Sequence, residues 1–151
     1  MKWKSDSTER TEALGRELAA ELQAGDILAL TGAIGSGKTT FVRGLGEGMG
    51  LPAGTVASPS FVLVREYRGG RLPIFHADLY RLEGMPEAVS VGLEEYYDQG
   101  GVTVVEWANR IPELLPEDFL EIQFEAPSDT ERTLTLVPHG SRATTLCRSV
   151  R

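Results

Sequence analysis

Gly32-Ala33-Ile34-Gly35-Ser36-Gly37-Lys38-Thr39 satisfies the pattern G-x-x-x-x-G-K-[ST] at every fixed position. Its glycines leave room for successive backbone N–H groups to curl around phosphate oxygens. Lys38 is placed to reach the β/γ-phosphates, and the Thr39 hydroxyl to take one position on Mg²⁺. The chain has three lysines, and Lys2 and Lys4 lie in the N-terminal tail, so Lys38 is the only internal one. A compact ammonium suits a phosphate in a tight loop better than a guanidinium fork. The expected ligand is a nucleoside triphosphate with its metal.

Such a loop needs a carboxylate at the end of a buried strand to hold the metal and its water. Two segments offer one: Val102-Thr103-Val104-Val105-Glu106 and Leu72-Pro73-Ile74-Phe75-His76-Ala77-Asp78. Two acids can divide the work, one toward the metal and one toward the attacking water. His76 lies two residues before Asp78, on the same sheet face, and is expected to make a structural hydrogen bond there. Trp107 is either a cover for the site or a core aromatic. His139, in Pro138-His139-Gly140, is expected to be solvated. Ser58 and Ser60 flank Pro59 where nucleotide switches carry a loop, and each could offer a hydroxyl. The absence of [NT]-K-x-D leaves the common guanine-selecting motif without a basis, and no second Gly-rich or Arg-rich lid marks a small-molecule kinase.

The elements that must position these residues follow the hydrophobic pattern. Asp6 with Glu9 resembles a capping box, and Leu14, Leu18 and Leu22 predict an amphipathic helix over about 7–23, ended by Gly25. A strand over 27–31, the phosphate loop and a helix over about 38–49 give the order this motif requires. Gly44, Gly46 and Gly48 each cost that helix about 1 kcal/mol relative to Ala, which close packing against the sheet or a partner would offset. Phe61–Tyr67 and Leu72–Ala77 are predicted strands joined at Gly69-Gly70, a two-residue hairpin signal. A helix over Pro86–Tyr97, a strand over Val102–Val105, a short helix near Pro112–Leu115 and strands near 119–125 and 132–137 complete the pattern. The expected fold is α/β: a single-domain P-loop NTPase with a mixed sheet, parallel at the nucleotide and flanked by helices. Residues 139–151 are expected to form a tail.

Composition narrows the partners. At 151 residues and 41% hydrophobic, the chain has material for one core. Its net charge of −7 argues against tight direct contact with DNA or RNA, which needs a basic face. Arg65, Arg68, Arg71 and Arg81 are therefore expected to be solvated hairpin charges. One cysteine, Cys147, excludes an internal disulfide framework and fits a reducing compartment, so the expected location is the cytoplasm. No apolar run reaches membrane-spanning length.

Taken together, these residues resemble the TsaE (YjeE) family, small bacterial ATPases of tRNA threonylcarbamoyl-adenosine synthesis. The likeness runs from about Ser7 to Pro138. It rests on Thr11-Glu12-Ala13-Leu14-Gly15, the phosphate loop, Ser58-Pro59-Ser60-Phe61, His76-Ala77-Asp78-Leu79-Tyr80-Arg81-Leu82 and Val105-Glu106-Trp107. The resemblance implies ATP and Mg²⁺ as cofactors, slow hydrolysis alone, and docking on a TsaD–TsaB pair that modifies tRNA. By position it implies that Gly35, Ser36, Gly37, Lys38, Thr39 and Thr40 cradle the phosphates. Thr39 and Glu106 would serve the metal with Asp78 as the second carboxylate, Trp107 would stand beside them, and Thr11 would lie near the base. The family has Thr where Ser60 stands, so the hydroxyl is retained. The rival readings are a small-molecule kinase on the same scaffold and a non-catalytic, ATP-gated adaptor.

Overall fold

Two largely apolar runs, Ile27–Leu30 and Val102–Val105, become the centre of a sheet whose two faces are both covered. The computed structural model describes residues 1–57, 64–81 and 92–150. In chain order the elements are β1 (Lys2–Ser5), α1 (Thr8–Ala19), β2 (Ile27–Thr31), α2 (Lys38–Gly48), β3 (Val64–Tyr67), β4 (Ile74–Asp78), α3 (Leu93–Tyr96), β5 (Val102–Glu106), β6 (Phe119–Glu125), β7 (Arg132–His139) and α4 (Ser141–Ser149). Two 3₁₀ turns, Ala108–Arg110 and Pro112–Leu114, follow β5.

The described strands form one seven-stranded mixed sheet in the order β1-β7-β6-β2-β5-β4-β3. β2 pairs in parallel with both β5 and β6, and β4 pairs in parallel with β5. β3, β7 and β1 are antiparallel to their neighbours. Leu28, Leu30, Val102 and Val104 pack with Leu14, Leu18, Phe41 and Leu45 of α1 and α2. Ala29, Ala77 and Val105 face the other way, onto Leu93, Ala108, Ile111 and Leu114. Strands covered on both faces read as near-continuous apolar runs, which is why β2 and β5 were legible. Parallel strands then bring their carboxyl ends to one edge, where a ligand crevice belongs.

Gly44 and Gly48 make the contact of α2 with α1. A Cβ on Gly44 would run into the Glu12 carbonyl, one on Gly15 into the Phe41 carbonyl, and one on Gly48 would lie 2.6 Å from Ala19 Cβ. The expected close packing is therefore found for Gly44 and Gly48, whose partner is α1 rather than the sheet, whereas a Cβ on Gly46 would meet Val56 and Leu51.

Other expectations are corrected by long-range pairing. Residues Lys2–Ser5 are an edge strand on β7, not a tail. This pairing fixes where the chain turns, so Ser7 rather than Asp6 caps α1, accepting from the Arg10 N–H at 3.0 Å. The hairpin is not closed by two residues: Tyr67 pairs with Ile74, and the connection folds back so that Arg71 N–H reaches the Met49 carbonyl at 2.6 Å. Arg71 is likewise no free solvated charge, since its guanidinium donates to the Ala19 and Leu22 carbonyls at the end of α1. Arg68 keeps the expected surface role, paired with Glu66. Ser141–Ser149 is a helix docked on the core with Cys147 buried, not a tail. Its first turn is held by Asp118, which accepts from the Arg142 and Ala143 N–H groups at 2.8 and 2.9 Å. His139 stacks on Phe119 at 4.3 Å and contacts Glu121. The expected helix over Pro86–Tyr97 is not continuous: Gly92 stands at φ 73°, outside helical geometry, and only Leu93–Tyr96 is helical, residues 86–91 lying outside the described residues.

Candidate functional site

β2 runs into the phosphate loop, and the loop runs into α2. Gly37 caps α2 at φ 104°, a left-handed conformation that glycine adopts without Cβ strain, and among the described residues no side chain caps the helix. The first-turn N–H groups and the positive helix end are thus left for an anion. Lys38 is buried, its Nζ donating to the Gly32 and Ala33 carbonyls at 2.5 and 3.0 Å. The same ammonium lies 4.4 Å from the Trp107 ring centroid. Burial pulls the Lys38 ammonium below its usual range, while Glu106 and Asp78 favour the charge and oppose that shift.

Asp78 and Glu106 end adjacent parallel strands and are register partners across β4 and β5. Both are buried, and the Thr39 hydroxyl stands 3.4–3.5 Å from the Glu106 carboxylate. Asp78 Oδ1 accepts the Tyr80 N–H at 2.8 Å. Trp107 is the one described non-glycine residue at positive φ, 59°. That strain, about 1–3 kcal/mol, turns the chain sharply out of β5 and sets the indole beside Lys38 and 4.8 Å from the Tyr80 ring. These groups open onto a cavity of about 500 Å³ lined by Gly35, Gly37, Lys38, Thr39, Thr40, Asp78, Glu106 and Trp107.

The family described as "Threonylcarbamoyl adenosine biosynthesis protein TsaE" matches residues 5–134. The chain belongs to the TsaE family. It is 41% identical over 150 residues to the tRNA threonylcarbamoyladenosine biosynthesis protein TsaE of Bacillus subtilis, covering 99% of this chain and 93% of that one. The TsaE protein of Synechocystis is 44% identical over 109 residues, 69% of this chain and 68% of its own. The crystal structure of Bacillus subtilis YdiB superposes with a TM-score of 0.84 at 37% identity, covering 99% of this chain and 93% of that chain. Fold class and family thus agree with the sequence reading.

Within this TsaE-family chain, the expected site residues divide into groups. Gly35, Gly37, Lys38, Thr39, Thr40, Asp78, Glu106 and Trp107 meet at one cavity. Ser36 does not line it: its N–H closes a turn onto the Ala33 carbonyl, and its Oγ is buried with no hydrogen-bond partner among the described residues. Thr11 borders the cavity, but its hydroxyl is bound to Ser5 Oγ at 2.7 Å, so it braces the junction of β1 and α1. Ser58 and Ser60 lie outside the described residues. His76 makes the expected structural hydrogen bond, and its partner is Glu106 on the neighbouring strand: Nε2 meets Glu106 Oε2 at 2.5 Å.

Arg132 was missed by sequence reasoning. One end of its guanidinium gathers the Ser128, Asp129 and Glu131 carbonyls, and the other donates to the Gly35 carbonyl at 3.2 Å. It therefore ties the β6–β7 turn to the phosphate loop. Its sequence signal is a cation after a Pro-Ser-Asp turn, and the loop it reaches depends on β6 lying beside β2.

The donor set suits a hard cation carried on a polyphosphate. Among the described residues no group of three or more His, Cys, Asp or Glu could hold a metal by itself. The oxygens of Thr39 and Glu106 fit a divalent cation that takes its other ligands from phosphate and water, as Mg²⁺ does.

Proposed function

We propose that this chain is the ATP-binding and ATP-hydrolysing subunit of the tRNA threonylcarbamoyladenosine machinery, resetting a TsaD–TsaB transferase between turnovers. The observation that carries the ATPase reading is the convergence of Lys38, Thr39, Asp78 and Glu106 on one cavity at the carboxyl edge of the parallel strands. Lys38 and the first-turn N–H groups of α2 would hold the phosphates. Thr39 and Glu106 would hold Mg²⁺, which when bound neutralises charge on the transferring phosphoryl oxygens. Asp78 would accept a hydrogen bond from the attacking water, and Trp107 would limit solvent at the lysine. The tRNA role is supported by the family and by the names its relatives carry. A net charge of −7 fits a subunit that leaves tRNA to its partners. The proposed location is the cytoplasm; no described helix is long and apolar enough to cross a membrane.

The test is Mg²⁺-dependent hydrolysis of ATP and GTP by the chain alone and with a purified TsaD–TsaB pair. Slow ATP turnover that changes on adding the pair is the expected result. Turnover indifferent to the pair sinks the subunit reading, and phosphate appearing on a small acceptor favours a kinase.

A further inference from the structure

We propose that His76 is the positioning residue of Glu106: it fixes one carboxylate oxygen so that the group stays directed at Thr39 and the cation held there. The inference rests on the Mg²⁺–ATP reading and adds a residue that this reading does not use.

His76 is 0% exposed, and its Nε2 lies 2.5 Å from Glu106 Oε2. The strand register explains why they meet. His76 pairs with Val104 and Asp78 with Glu106, so His76 and Glu106 are diagonal neighbours on the face that carries α2. Glu106 has three rotatable side-chain bonds and reaches Thr39 only through long contacts of 3.4–3.5 Å. The histidine is thus its shortest described hydrogen bond. A carboxylate accepts, so the ring hydrogen sits on Nε2. His76 Nδ1 has no hydrogen-bond partner among the described residues. With the hydrogen on Nε2, no ring N–H is left buried and unpaired, whereas the other tautomer would leave one and remove the bond to Glu106. Outer partners of this kind orient a metal ligand, and losing one typically weakens metal affinity 10–100-fold.

The test uses the full chain with 2′/3′-methylanthraniloyl-ATP, titrating Mg²⁺ and following probe fluorescence, with a parallel nucleotide titration in EDTA. His76→Gln places an amide N–H near the native Nε2. His76→Asn places its amide near Nδ1, too short to reach, and His76→Phe keeps the ring without a donor. The expected result is a Mg²⁺ midpoint raised about tenfold or more in H76N and H76F. H76Q should fall within about threefold of wild type, and nucleotide affinity in EDTA should stay within about twofold throughout. Circular dichroism selects folded variants, and either H76N or H76F suffices as the partner of H76Q. Equal Mg²⁺ midpoints in H76Q and a folded donor-less variant overturn the proposal. A wild-type chain that binds the probe without any Mg²⁺ dependence overturns the metal reading itself, and the proposal with it.

Discussion

Lys38 is held in place by two loop carbonyls and an indole face, with two carboxylates favouring its charge. No other internal lysine could substitute for it. Lys38→Ala is accordingly expected to abolish productive ATP binding or hydrolysis, checked by calorimetric ATP titration and phosphate release; normal turnover would remove the site assignment. Asp78→Ala and Glu106→Ala are each expected to lower hydrolysis by at least about 10², the scale of a lost acid–base or ligand group. If one variant is near wild type in a phosphate-release assay, the two acids do not share the work. The acids themselves were legible, because an acid closing a β-branched run marks a strand end. Their juxtaposition was not, since β4 and β5 are separated by 23 residues that begin after Asp78 and end before Val102. The partner of His76 was illegible for the same reason: alternation along a strand gives the face, and only register gives the neighbour.

At the scale of elements, α1 and α2 touch through Gly15, Gly44 and Gly48. Gly44→Ala should lower stability by about 1–3 kcal/mol, the range for overpacking, because the added methyl meets backbone that cannot rotate away. Chemical denaturation measures this directly, and an unchanged midpoint would show that the helices can separate at no cost. Arg132 acts between elements, spanning the β6–β7 turn and the phosphate loop. Arg132→Ala is expected to weaken ATP binding by about fivefold, near the 1 kcal/mol of one hydrogen bond, while the melting temperature moves little because the contacts are exposed. An unaltered dissociation constant would show that the loop holds its shape without the strap. Helix α2 and strand β2 could be read from local pattern. β1 and α4 could not, because short amphipathic ends become elements only when a partner edge or core face is there to receive them.

At the scale of the molecule, the acidic balance of the chain predicts poor company for a polyanion. With a net charge of −7, the isolated chain is expected to bind tRNA more weakly than about 10 µM at about 150 mM salt, measured by filter binding. Tight binding alone would contradict a role through partners. The motif at Gly32–Thr39, the strand–loop–helix order around it, the strand-end acids and the mixed α/β class were determined by the sequence itself. They depend on local chemistry: glycine freedom, apolar runs and residue spacing. The tertiary structure alone decided that Glu106 meets His76, that Ser7 caps α1, that Gly44 and Gly48 of α2 serve α1, and that Arg132 reaches the phosphate loop. The first and the last of these depend on strand order and register. Residues far apart in the chain become neighbours there through hydrogen-bond ladders and burial that no local pattern encodes.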